Sequence, residues 1–222
     1  MGYCLETTSL CKKYGDFQAL NGLSMHIPKG AIYGLAGKNG AGKTTLIRLI
    51  TGIQNPTSGE YSLYNIKNTD MAINKTRRRM GAVVETPAVY LDMTAEENLI
   101  MQYQILGIPN YNGITELLTL VSLADCGKKK VKDFSLGMKQ RLGIAVALCG
   151  SPDFLILDEP INGLDPQGIV EIRELILKLN RDYQITILIS SHILGELSKL
   201  WICRWRKNCK GNRCHRAGIK LP

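Results

Sequence analysis

The chain has no apolar run long enough to cross a bilayer. Its uninterrupted apolar stretches, such as 145–149 and 154–157, fall far short of the roughly 20 residues a membrane-spanning helix needs. No secretory segment opens it, because Glu6 stands where an apolar stretch would begin and Lys12 and Lys13 follow. Met1-Gly2 invites an acylation reading, yet Glu6 occupies the position where that motif needs Ser or Thr. The seven cysteines contain no C-x-x-C pair, are odd in number and irregularly spaced, which speaks against a disulfide framework or a zinc ribbon. No repeat and no low-complexity linker interrupts 222 residues of 45% hydrophobic content, the make-up of one ordinary globular unit. These absences point to a cytosolic protein that meets any membrane through a partner.

Acid is missing from one place. Residues 201–222 hold Arg204, Arg206, Lys207, Lys210, Arg213, Arg216 and Lys220 without a carboxylate, which supplies +7 of the net +9. The first 200 residues are nearly neutral, so the charge belongs to the tail and is no nucleic-acid footprint across the fold.

What is present alternates between β-type and helical patterns. Strands are expected at 24–27, 32–36, 61–63 and 81–84, with a helix over 43–51 closed by Gly52 and a Pro56 turn. From about 94 to 150 the pattern is mostly helical, at 95–106, 114–121 and 138–149. A strand at 154–157, a helix at 168–180 and a strongly apolar strand at 185–189 complete it. The expectation is an α/β core whose halves are separated by a helical lobe near 86–150.

Gly37-Lys38-Asn39-Gly40-Ala41-Gly42-Lys43-Thr44, followed by Thr45, fits the phosphate-binding loop G-x-x-x-x-G-K-[ST] between a strand and a helix. Glycines let backbone N–H groups turn toward phosphates, and the helix N-terminus adds its positive end. Lys43 would hold the β- and γ-phosphates and Thr44 would ligate Mg²⁺. The second signal is Phe154-Leu155-Ile156-Leu157-Asp158-Glu159, where an apolar strand delivers two acids to its carboxyl end. Asp158 suits the Mg²⁺ shell, and Glu159 suits a general base for the attacking water.

With Phe134-Ser135-Leu136-Gly137-Met138-Lys139-Gln140-Arg141, the order of motifs resembles the nucleotide-binding subunits of ABC transporters, over roughly residues 3–200. The octapeptide aligns with the family's L-S-G-G-Q segment, with Leu136 and Met138 replacing its first Gly and its Gln. The resemblance implies a P-loop ABC-type α/β fold with a mixed sheet and an inserted helical subdomain. It implies Mg²⁺-dependent ATP hydrolysis by a homodimer bound to a membrane-spanning permease at the inner face of the membrane, without nucleic acid. By the same resemblance, Ser135 and the Gly137 N–H would reach the γ-phosphate held by the other subunit. Asn162-Gly163-Leu164-Asp165 would lie between subunits, His192 would contact the γ-phosphate, and Tyr14 would stack on adenine. Glu85 stands where the family normally has Gln and would ligate Mg²⁺ and water without an amide donor. That Glu, with the octapeptide and the loop, resembles the branch that exports bacitracin and lantibiotics for self-protection. A non-transport ABC ATPase and a non-catalytic ATP-binding remnant are the alternatives; the first would show a long coiled-coil insert or tandem cassettes, and neither is seen.

Beyond residue 200 the resemblance stops. Zinc ligation by Cys203, Cys209, Cys214 and His215, nucleic-acid binding by the basic run, and a frameshift are three readings of 201–222. The frameshift is preferred, since one base later the codons can spell Gly-Tyr-Ala-Asp-Gly-Glu-Arg-Ile-Val-Lys-Glu-Ile, a hairpin ending. The Lys128, Lys129, Lys130 and Lys132 cluster reads as a solvated basic loop, with a phosphate or membrane-surface contact as the alternative.

Overall fold

Strands β1 (Tyr3–Tyr14) and β2 (Phe17–Pro28) form a long antiparallel hairpin closed by Gly15 and Asp16. The structure is a computed structural model describing residues 2–193, so every reading of the tail lies outside the described residues. Sequence patterning marks only 24–27 of this hairpin, because register shifts break the alternation of β1 and spread its buried residues unevenly. Strands β4 (Ser58–Leu63) and β5 (Ile66–Lys67) extend it into an antiparallel sheet of order β2-β1-β4-β5.

The second sheet is parallel. Its strands are β3 (Ile32–Ala36), β6 (Met80–Val83), β7 (Phe154–Asp158) and β8 (Thr186–Ser191), in the order β3-β8-β7-β6. The mixed sheet thus takes the form of two sheets, one of each kind. All residues of β7 and β8 are buried, as expected of strands covered on both faces. Phe154 and Ile156 face a core shared with helix α1 (Lys43–Ile50) and the antiparallel sheet, while Leu155 and Leu157 face a core made with helices. Each such fully buried Leu or Ile contributes about 1.5–3 kcal/mol, so β7 anchors both layers.

The second core takes helices α3 (Ala95–Leu106), α4 (Ile114–Leu120), α5 (Leu136–Leu148) and α6 (Pro166–Tyr183); α2 (Ile73–Arg77) is a single short turn beside β4. Thr94 and Glu97 form a reciprocal capping box that starts α3, and Gly107 ends it in the left-handed region. Helices α5 and α6 begin two residues earlier than the sequence pattern places them, because Ser135 and Asp165 cap them.

At the starting end of the parallel strands, Asp153 accepts from the Tyr64 hydroxyl and pairs with Arg79, whose guanidinium lies 3.8 Å over the Tyr64 ring. Burial pushes the nearby Cys4 thiol up to about 11 and holds Tyr64 far above its usual range. Burial likewise raises Cys149, in the helical core, to about 12.

Candidate functional site

The opposite ends of β3, β7 and β8 come together, with Ala36 paired to Ser191 and Asp158 paired to Ser190. Loop residues 37–42 leave β3 at this edge, where crevices of open parallel sheets lie. The Gly37 N–H donates to the Ser191 carbonyl at 3.3 Å, tying the loop to β8. Gly42 sits at φ 84, and a Cβ there would come within 2.4 Å of the Ala19 carbonyl on β2. Only glycine fits, so the loop is braced by the antiparallel sheet as well as by the strand it leaves.

Lys43 is 5% exposed, and its ammonium donates to the Gly37 and Lys38 carbonyls at 2.7 and 3.2 Å. The next residue, Thr44, donates from Oγ1 to Asp158 Oδ2 at 2.7 Å, and Ser190 Oγ donates to the other oxygen of that carboxylate. Ser190 Oγ in turn accepts from the Glu159 N–H at 2.9 Å. That bond, with a second from the same N–H to the Ser190 carbonyl, secures Glu159 at φ 50, a left-handed conformation costing an L-residue about 1 kcal/mol or more. The Glu159 side chain is held from two sides. Oε1 lies 3.1 Å from the Lys43 ammonium, close enough for an ion pair but without the alignment of a hydrogen bond. Oε2 faces His192 Nδ1 at 2.8 Å and accepts from the His192 N–H at 3.3 Å.

These groups border a cavity of about 270 Å³ lined by Tyr14, Phe17 and Ala19 from the hairpin, Asn39, Gly40, Ala41, Gly42, Lys43, Thr44 and Thr45, and Glu159. The Tyr14 hydroxyl donates to Gln54, and the Lys12 ammonium lies 5.2 Å from its ring. Phe17, at 62% exposure, offers a second aromatic face. The residues fit a magnesium–triphosphate group: a hydroxyl and a carboxylate sit in contact, a buried ammonium adjoins them, and a buried carboxylate oxygen lacks a hydrogen bond.

Gly37, Lys38, Asp158 and His192 do not line this cavity but bond to Lys43, Thr44 or Glu159, which do. Three further expected site residues neither line it nor bond to a residue that does. Ser135 is the N-cap of α5 and accepts from the Met138 N–H at 3.2 Å, with Gly137 in the first turn. Leu136 is half-exposed and leans on the loop between β7 and α6, since a Cβ on Gly163 would lie 3.3 Å from it. Glu85 follows β6 at φ 63 and pairs with Arg48 in the last turn of α1. In the basic cluster, Lys132 lies 3.4 Å from Asp92 and Lys129 sits 5.9 Å from the Phe134 ring centre, both within this chain.

Sequence reasoning missed Phe17, Ser190, Gln54 and Arg48. Ser190 had a signal, a hydroxyl ending a run of apolar strand residues; its role needed the register of β7 against β8.

A family model described as ABC transporter matches residues 20–162, and one described as AAA domain, putative AbiEii toxin, Type IV TA system, matches residues 127–198. The chain is 48% identical over 200 residues to the bacitracin transport ATP-binding protein BcrA of Bacillus licheniformis, over 90% of this chain and 65% of that protein. It therefore spans just under two thirds of that relative's length. It is 43% identical over 196 residues to the lantibiotic transport ATP-binding protein SrtF of Streptococcus pyogenes, over 88% of this chain and 83% of the other. Among solved structures, cbiO1 of Clostridium perfringens, part of the ABC transporter complex cbiONQ, superimposes with TM-score 0.79 at 28% identity, over 90% of this chain and 82% of that one. The ATP-binding cassette MJ0796, as a post-hydrolysis dimer bound to ADP and Pi, gives TM-score 0.76 at 26% identity, over 86% and 89%.

Proposed function

The chain belongs to the ABC transporter family, and from that premise we propose that it is the ATP-hydrolysing subunit of an exporter of peptide antibiotics, serving resistance or immunity. The observation that carries the catalytic part is a cavity lined by Lys43, Thr44 and Glu159, with Asp158 held by Thr44 and His192 held by Glu159 directly behind them. ATP is the substrate. Tyr14, with Phe17 beside it, takes the adenine, and the loop 37–45 and Lys43 take the phosphates. Thr44 and Asp158, with Glu85 as a further ligand, hold Mg²⁺, which offsets charge on the phosphate oxygens. Glu159 accepts a proton as water oxygen attacks the γ-phosphorus and the bond to the β,γ-bridging oxygen breaks, giving ADP and phosphate. His192 orients Glu159 and reads the γ-phosphate.

The chain works as a homodimer. Ser135 and Gly137 of one subunit reach the nucleotide on the other. This is supported by the Ser135 cap, which uses the hydroxyl oxygen as acceptor and leaves its proton to be donated, and by the Gly137 N–H in a first turn without intrahelical acceptors. The pair of subunits drives a membrane-spanning permease from the cytoplasmic face and has no nucleic-acid partner. Among the described residues no helix is long and apolar enough to cross a membrane. The cargo reading is supported by the names of the bacitracin and lantibiotic relatives.

Steady-state phosphate release from the full chain with Mg-ATP, beside a Glu159→Gln control, tests the catalytic part. Turnover that disappears in the control is the expected result. Turnover that survives it overturns the role of Glu159, and ATP binding without turnover in the parent chain favours the remnant reading.

A further inference from the structure

Glu85 is held in a way that neither its place in the chain nor the catalytic cluster explains. It lies two residues past β6 at φ 63, where a Cβ is unwelcome, and its carboxylate is turned to Arg48. Arg48 is the one basic residue in the last turn of α1, the helix whose first turn carries Lys43 and Thr44. Thr44 and Arg48 are four residues apart, so they share one face of that helix, roughly 6 Å from each other. Arg48, which holds the Glu85 carboxylate, is therefore rooted one helical turn from Thr44, whose hydroxyl donates to Asp158.

We propose that Arg48 is a positioning residue that holds Glu85 off the metal site and yields it when Mg-nucleotide arrives. This rests on the proposed function, and it turns on charge. A Gln at this position would give Arg48 a neutral acceptor, and hydrogen bonds to ionised groups are about twice as strong. The glutamate thus brings its own resting partner, and one cation must be exchanged for another before Glu85 can serve the metal. The pair is suited to exchange. Its side chains are 36% and 55% exposed, so solvent and salt screen it, and a divalent cation one turn away can compete.

The test is binding of a fluorescent ATP analogue to the full chain at low ionic strength, titrated with Mg²⁺. Arg48→Gln is expected to lower the Mg²⁺ concentration at half-saturation about two- to fivefold, the range an exposed ion pair can supply. In the Glu85→Gln background the same change should produce no shift. Arg48→Lys, which keeps the charge, should stay near the parent value, and 1 M salt should erase the Arg48→Gln effect. An unchanged half-saturation in Arg48→Gln, or an equal shift with Glu85 already neutral, overturns the proposal while leaving the ATPase reading intact. Failure of the parent chain to bind the analogue at any Mg²⁺ concentration overturns both.

Discussion

Asp153 precedes β7 and Asp158 ends it, and their surroundings are built from the same chemical kit. At the start of β7, Asp153 takes the Tyr64 hydroxyl and the Arg79 guanidinium, which also covers the Tyr64 ring. At the end of β7, Asp158 takes the hydroxyls of Thr44 and Ser190, and Glu159 beside it faces the Lys43 ammonium. The first cluster is closed, since its groups satisfy one another. The second is left unfinished: a buried Glu159 oxygen has no hydrogen bond, its backbone is left-handed, and a cavity of about 270 Å³ stands open beside it. A polar network holds layers together when complete, and keeps binding energy in reserve when a ligand is needed to complete it.

The contrast can be broken at either end. Glu159→Gln should cut phosphate release by about 10²–10⁴-fold while analogue binding stays near the parent, since the isosteric amide keeps the side chain's place and loses the proton acceptor and the charge facing Lys43. Lys43→Ala should weaken nucleotide binding by about 100-fold, roughly the worth of a charge-assisted bond to phosphate, as measured by analogue titration. A third test uses pH. Cys4 and Cys149 have folded values raised by burial to about 11 and about 12, so the fold favours their neutral thiols. Their contribution is fully present below pH about 9 and falls as pH rises toward 11 and 12, because the unfolded chain releases those protons earlier. Urea midpoints should therefore drop between pH 9 and 11, and less steeply in Cys4→Ala. The smallest effect is expected from Asp153→Ala, a loss of about 1 kcal/mol in urea unfolding, because its side chain and that of Arg79 are half-exposed. Nucleotide affinity should not change with it.

The contrast also separates what the residues reveal in sequence from what they do not. The 37–44 loop was legible because close approach of backbone to phosphate restricts residue type at fixed spacing. Asp158 and Glu159, common at the end of an apolar strand and usually structural there, were legible only because the 37–44 loop precedes them in the same chain. The helical stretch between β6 and β7 showed itself by period, and 95–106 matches α3 residue for residue. Most of β1 and β2 did not show, because bulges disrupt the alternation that marks a strand. Ser190 and Ala19 act through partners 32 and 23 positions away along the chain, and such pairings exist only once strands are in register. Arg48 reads as an ordinary solvated cation on an amphipathic helix, and only its neighbour Glu85 gives it meaning.

The brace beneath Gly42 has a consequence for stability. The cavity takes one wall from the hairpin and another from the loop leaving β3, so a molecule bound there fastens the two sheets to each other. Occupancy and cohesion of the layers are then thermodynamically reciprocal. A ligand at 100 times its dissociation constant should add about 2.7 kcal/mol to the unfolding free energy by mass action, and the melting temperature should climb with its concentration. By the same reciprocity, a substitution that loosens the hairpin from the parallel sheet, even one that never touches the cavity, would release the ligand more readily.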